Sequence, residues 1–135
     1  MRRELTGYVV DHSATTAGLT DGGSESQRRA LSKYVHAAAN GGPRLAFPAI
    51  CLAATAEVRP AIADHVAMLV ADAPRGTIEV SRLTRGPQLE VLREQFPGLD
   101  WPAAHAVLQA LLNDEPIMTA ETTAYAGVPV EILAL

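Results

Sequence analysis

The chain has 135 residues, of which 48% are hydrophobic and 4% aromatic. This length and composition favour a single domain, residues 1–135, with an aliphatic core, over a disordered chain. The formal net charge of −4 at pH 7 argues against a protein that holds nucleic acid by bulk charge alone. A single cysteine, Cys51, excludes an internal disulfide and a cysteine-based zinc site.

The start of the sequence does not show the pattern of a signal peptide. The apolar run that follows residues 1–4 is too short for a signal peptide, and no stretch reaches the length of a membrane span. We therefore expect a cytoplasmic protein that makes no contact with a membrane.

Short apolar or alternating runs predict strands, and segments with a repeat of three to four residues predict helices. In chain order the prediction is strand 7–10, helix 14–19, helix 25–40, strand 44–47, helix 48–58, helix 61–72, strand 77–80, helix 89–96, helix 100–112, strand 116–120, a helical turn near 124–125 and strand 128–133. Asp11 or Ser13 is the expected cap of the first helix, and Asp100 that of the longest late helix. This order predicts an α/β fold, a three-layer α/β/α sandwich with a mainly parallel central sheet.

Acidic residues follow or flank the predicted strands. Asp11 ends the first apolar run, Glu121 comes directly after residues 116–120, and Asp100 opens the helix that leads into that strand. The carboxyl ends of parallel strands share one edge of the sheet, where α/β proteins bind their ligands. Two carboxylates about 5 Å apart repel by roughly 3 kcal/mol at an effective dielectric near 20. The pattern therefore indicates a bound divalent cation.

The sequence resembles the PIN domain family, which supplies ribonuclease toxins of bacterial toxin–antitoxin pairs. Four pieces carry the resemblance, in the family's order and spacing. They are Val9-Val10-Asp11-His12-Ser13, residues 47–54, Asp100 with the alanines that follow it, and Pro116-Ile117-Met118-Thr119-Ala120-Glu121 with Tyr125 and residues 128–130.

The resemblance implies a metal-dependent endoribonuclease. Asp11 and Asp100 would bind Mg²⁺ or Mn²⁺, Glu121 would replace a family aspartate, and Ser13 and Thr119 would orient the ligands. Hard oxygen ligands suit these cations, and magnesium often uses only one or two carboxylates. The resemblance further implies a homodimer, a cognate antitoxin protein as partner, and single-stranded or structured RNA as substrate.

Two positions depart from the family pattern. The family's glutamate in the third helix aligns with Ala54, which has no ligating atom, and the last acid is a glutamate, one methylene longer than aspartate. Glu57 lies about 60° around the helix from Ala54 and about 4.5 Å further along its axis. It is either a substitute metal ligand or an ordinary solvent-facing acid.

Other polar residues have simpler alternative interpretations. Asp100 is also explained as an ordinary N-cap, His12 as a surface histidine at a strand end, and His36, His65 and His105 as helix-surface residues. Two functional hypotheses follow. The chain is a Mg²⁺-dependent endoribonuclease with an incomplete acidic site, or a catalytically inactive PIN-like module that binds a protein partner or RNA.

Overall fold

A computed structural model describes residues 7–135. The six preceding residues, including those considered for a signal peptide, lie outside the described residues. Five strands form one sheet: β1 Gly7–Val10, β2 Arg44–Pro48, β3 Ile78–Ser81, β4 Ile117–Thr119 and β5 Ile132–Ala134. Six α-helices connect them: α1 His12–Leu19, α2 Glu25–Ala39, α3 Ala49–Val58, α4 Ile62–Asp72, α5 Gly86–Gln95 and α6 Trp101–Asn113. A short 3₁₀ helix, Thr122–Tyr125, follows β4.

All strand pairs of the sheet are parallel, in the order β3-β2-β1-β4-β5. The chain builds outward from β1 in one direction through β2 and β3, then crosses back to place β4 and β5 on the other side. The boundary between β1 and β4 is therefore the topological switch point, where an α/β sheet leaves a crevice at its carboxyl edge. Asp11 directly follows β1, and Thr119 is the last residue of β4, so both lie where the two strands meet.

Side chains alternate across the sheet and divide the core in two. Val9 and Ile117 belong to a cluster with residues of α5 and α6, whereas Val10 and Met118 belong to a cluster with residues of α1, α2 and α4. Strand side chains point alternately to opposite faces, so neighbouring apolar residues serve two layers of helices. The predicted three-layer α/β/α sandwich is confirmed, and the predicted mainly parallel sheet is parallel throughout.

The last strand is the main difference from the predicted elements. The prediction begins it at residue 128, but the structure begins β5 at Ile132. Gly127 has φ 79°, a conformation that turns the chain, and Pro129 has no N–H to donate to a neighbouring strand. Local turn geometry therefore overrides the apolar pattern of residues 128–130.

Within residues 7–135, no helix is both long and apolar enough to cross a membrane.

Helices α1 and α2 pack closely because one position carries no side chain. Gly18 is buried in α1, and a Cβ placed on it would lie 2.6 Å from Cβ of Leu31 and closer still to Cδ2 of that residue. Leu31 is fully buried in the core, so it has little room to move.

Gly18→Ala is therefore expected to lower the free energy of unfolding by about 1–3 kcal/mol, as overpacked cores do, despite alanine's better helix propensity. Urea denaturation measures the change. Gly86→Ala in α5 is the control, since its Cβ would meet nothing within 4 Å, and it should be neutral or slightly stabilising. Equal effects of the two substitutions would contradict the close packing of α1 on α2.

Candidate functional site

The site is built around a buried carboxylate at the switch point. Asp11 follows β1 and caps α1, and only 1% of its surface is exposed. Its Oδ1 accepts hydrogen bonds from the Ser13 hydroxyl and the Ala14 N–H, both at 2.8 Å. Its Oδ2 accepts a bond from the Tyr125 hydroxyl at 2.6 Å. Three donors from two distant parts of the chain therefore satisfy this carboxylate, which would be costly to bury without partners.

The hydrogen bonds continue from Ser13 into β4. Ser13 gives its single proton to Asp11, so its oxygen accepts from the Ala120 N–H at 2.9 Å and from the Thr119 hydroxyl at 3.0 Å. The Thr119 oxygen in turn accepts from the Glu121 N–H at 3.0 Å. The resemblance implies orienting roles for Ser13 and Thr119. In the structure the Ser13 hydroxyl bonds directly to Asp11, and the Thr119 hydroxyl bonds to that of Ser13.

Tyr125 is the donor that sequence reasoning left without a role. Burial, followed by the negative charge of Asp11 and the hydrogen bond to it, raises the pKa of the Tyr125 hydroxyl far above its usual value of 10.0. The hydroxyl therefore keeps its proton and remains a donor at every physiological pH. Its position in the last tenth of the sequence, between a strand and a glycine turn, gives no local signal of this contact.

Asp100 lies at the same edge but in a different environment. Its Oδ1 accepts from the Ala103 N–H at 2.8 Å, so it caps α6 as the simpler interpretation states. Its Oδ2 lies 3.8 Å from Nε2 of His12, and 64% of the Asp100 side chain is exposed. Nδ1 of His12 is buried without a hydrogen-bond partner among the described residues. The pair is an open contact at the rim rather than an extension of the buried network.

The remaining predicted acids do not join this network. Glu121 is exposed, and only its backbone N–H takes part in the hydrogen bonds around Ser13. Glu57 is exposed in the last turn of α3. Helix α3 starts directly after β2, at the carboxyl edge of the sheet. Glu57 lies about 12 Å along the helix axis from that start, away from the edge. Thr55 of α3 does contact the edge, through a hydrogen bond from its hydroxyl to the carbonyl of His12 at 3.2 Å.

The donor set is a poor fit to the divalent cation that the resemblance implies. No group of three or more histidine, cysteine, aspartate or glutamate side chains within residues 7–135 is arranged to hold a metal ion. A carboxylate has about four acceptor positions, and three of those on Asp11 are already used inside the protein. Magnesium also keeps several of its waters, which a carboxylate that is 1% exposed cannot accommodate.

Cys51 and His105 connect α3 to α6 behind the site. The Cys51 thiol donates to the carbonyl of Pro102 at 3.1 Å. Burial, followed by the charge of Asp11, raises the pKa of Cys51 well above its usual value, so the thiol is an inert core group.

The surface assignment of His105 is wrong, although His36 and His65 are exposed as predicted. His105 is fully buried, and its Nδ1 accepts the N–H of Ile50 at 3.3 Å, which leaves the proton on Nε2. Burial lowers the pKa of His105, and its Nε2 is buried without a hydrogen-bond partner among the described residues. Its immediate neighbours in the chain, Ala104 and Ala106, are small, so its burial had no strong sequence signal.

No family model matches the chain, and no curated protein is significantly similar to it.

Tyr125→Phe removes one donor to the buried Asp11 carboxylate. We expect it to lower the free energy of unfolding by about 1.5–3 kcal/mol, the range for a hydrogen bond to a charged group, as measured by urea denaturation. Tyr34→Phe is the matched control, because the Tyr34 hydroxyl makes no hydrogen bond to residues 7–135 and its ring contacts Tyr8 edge-on. An unchanged stability of Tyr125→Phe would rule out this role of the hydroxyl.

His105 should make stability depend on pH. Because its pKa in the folded state is below the usual 6.5, the unfolded chain binds the proton more readily. The contribution of His105 to the free energy of unfolding should therefore be fully present above about pH 6.5. It should be lost as the pH falls below that value towards the pKa of the folded state. Urea denaturation of wild type and His105→Gln across this range measures the effect. The variant should lose this part of the pH dependence, whereas His36→Gln should retain it.

Proposed function

We propose that this protein is a PIN-like module without nuclease activity, which binds a protein partner at the carboxyl edge of its sheet. The observation that carries the proposal is the state of Asp11. The resemblance assigns this carboxylate to the metal, yet it is buried and accepts three hydrogen bonds from the protein itself. Ala54, in place of a ligating glutamate, supports the same conclusion.

The charge of the edge supports a protein partner over RNA. Asp100 and Glu121 present exposed carboxylates there, and the Glu121 side chain has no ion-pair partner in the described part of the chain. The formal net charge of −4 adds to this field. A phosphate backbone would be repelled, whereas a basic segment of a protein would be attracted. A small antitoxin-like partner, as the resemblance implies, fits this requirement, and we place both proteins in the cytoplasm.

The Mg²⁺-dependent endoribonuclease is the second candidate. It is favoured by the position of Asp11 and Asp100 at the same edge of the sheet, where the negative charges of both raise the pKa of the Cys51 thiol. Because magnesium can be held by one or two carboxylates with waters as the other ligands, such a pair would serve if Asp11 exchanged a protein donor for the ion. His12, 3.8 Å from Asp100, would then lie beside the substrate.

Calorimetric titration with Mg²⁺ and Mn²⁺, combined with cleavage assays on single-stranded and hairpin RNA, tests the proposal. We expect no saturable metal binding at millimolar concentration and no cleavage by the wild type. Asp11→Asn should instead lower the free energy of unfolding by about 2–4 kcal/mol, because an amide cannot accept all three bonds to a buried carboxylate.

Asp100→Asn is the control in the same experiment. Asparagine caps helices about as well as aspartate, so this exposed substitution should change stability by less than about 0.5 kcal/mol. Metal binding and RNA cleavage by the wild type, both lost in a stably folded Asp11→Asn, would overturn the proposal and establish the nuclease.

A further inference from the structure

A cleft on the outer surface lies between the end of α5 and the start of α6. It has a volume of about 460 Å³ and is lined by Glu90, Arg93, Glu94, Pro97 and Trp101. None of these residues takes part in the hydrogen bonds around Asp11. Because Trp101 directly follows Asp100 in the chain, the cleft begins next to the exposed carboxylate that caps α6.

The wall of the cleft is an exposed tryptophan with a guanidinium already stacked on it. Trp101 is 45% exposed, and Cζ of Arg93 lies 4.0 Å from the centroid of its ring. Arg93 is held in place, since its Nε donates to the carbonyl of Leu99 at 3.2 Å. Tryptophan is the best cation–π acceptor among the side chains, and the exposed remainder of this indole is free to contact a partner.

The cleft carries unbalanced negative charge. Glu90 and Glu94 are one helical turn apart on α5 and both are exposed. No residue among 7–135 forms a hydrogen bond or ion pair with either carboxylate. Like charges at this spacing repel each other on a helix, and among residues 7–135 Arg93 is the one cationic side chain that lines the cleft. A cation that bound between the two glutamates would relieve that repulsion.

We propose that this cleft binds an arginine side chain from an extended segment of a partner protein. The incoming guanidinium would lie against Trp101 and donate hydrogen bonds to Glu90 and Glu94, while its aliphatic stem would pack on Pro97. A planar guanidinium stacks on an aromatic ring and bonds to carboxylates at the same time, which a lysine ammonium does less well. The inference rests on the proposed function, to which it adds the chemistry of the partner and a second contact outside the edge.

RNA is a less suitable occupant of this cleft. A nucleotide base could stack on Trp101, but its phosphates would lie beside two unpaired carboxylates. The charges of the cleft therefore favour the basic peptide.

Trp101 is the only tryptophan of the chain, so its fluorescence reports binding without a label. The probe is an acetylated and amidated peptide of glycine and serine with two arginines, compared with identical peptides that carry lysine or uncharged citrulline. We expect a saturable change in emission with the arginine peptide. The lysine peptide should bind at least about threefold more weakly, and the citrulline peptide should not bind. Higher ionic strength should weaken the arginine complex.

The double variant Glu90→Gln/Glu94→Gln should weaken binding of the arginine peptide about fivefold or more, from the loss of two ion pairs. Glu57→Gln/Asp72→Asn is the control, with the same change in net charge at exposed positions of α3 and α4, and it should bind like the wild type. Equal weakening by both double variants would indicate bulk charge attraction and overturn the assignment of the cleft.

Unchanged emission up to about 5 mM arginine peptide, or an equal response to citrulline, would also overturn the inference. Stronger quenching by oligouridylate than by the arginine peptide would assign the cleft to RNA. The cleavage assay keeps this test separate from the proposed function. RNA cleavage together with peptide binding would overturn only the proposal that the protein lacks nuclease activity. A protein that neither cleaves RNA nor binds the peptide would overturn only the proposal that the cleft binds arginine.

Discussion

The structure depends on the satisfaction of one buried carboxylate. The order of the parallel sheet places β1 beside β4, so Asp11, at the end of β1, is enclosed by segments far away in the sequence. Its bond to Tyr125 spans 114 positions, and the contact between Ser13 and Thr119 spans 106. An uncompensated buried charge costs several kcal/mol, so the closed sheet edge depends on these donors.

This constraint has a direct consequence for function. An oxygen atom that accepts a hydrogen bond from the protein is not available to a metal ion in the same direction. In this chain the first turn of α1 and the 3₁₀ helix after β4 supply hydrogen-bond donors to the Asp11 oxygens. These donors occupy positions at which a cation would otherwise bind. The hydroxyl of Tyr125 keeps its proton, because burial and the charge of Asp11 raise its pKa. Hydrogen bonds from the protein itself therefore satisfy Asp11, whereas Asp100 and Glu121 remain exposed at the rim.

Helix α6 links the buried part of the site to its surface. Its inner face is buried from Ala103 to Ala110 and is tied to α3 through His105 and Cys51. Its first residues face outward, with Asp100 as the cap and Trp101 in the cleft beside α5. The buried helix anchors these two exposed side chains, which would lower the entropic cost of the proposed binding of a partner.

The sequence by itself determined the order of the elements, the α/β class and the position of Asp11 after the first strand. These features follow from local patterns, namely apolar runs, helical repeats, glycine and proline breaks and N-capping aspartates. The tertiary structure decided what surrounds each polar group. It buried His105, paired Tyr125 with Asp11 and left Glu121 at the surface. The contact of His105 with Ile50 spans 55 positions and that of Tyr125 with Asp11 spans 114, and contacts between such distant segments are set by the order of the sheet and the packing of its helices and have no local signature. It also shortened the last strand, where the turn at Gly127 and the missing N–H of Pro129 outweighed the apolar pattern.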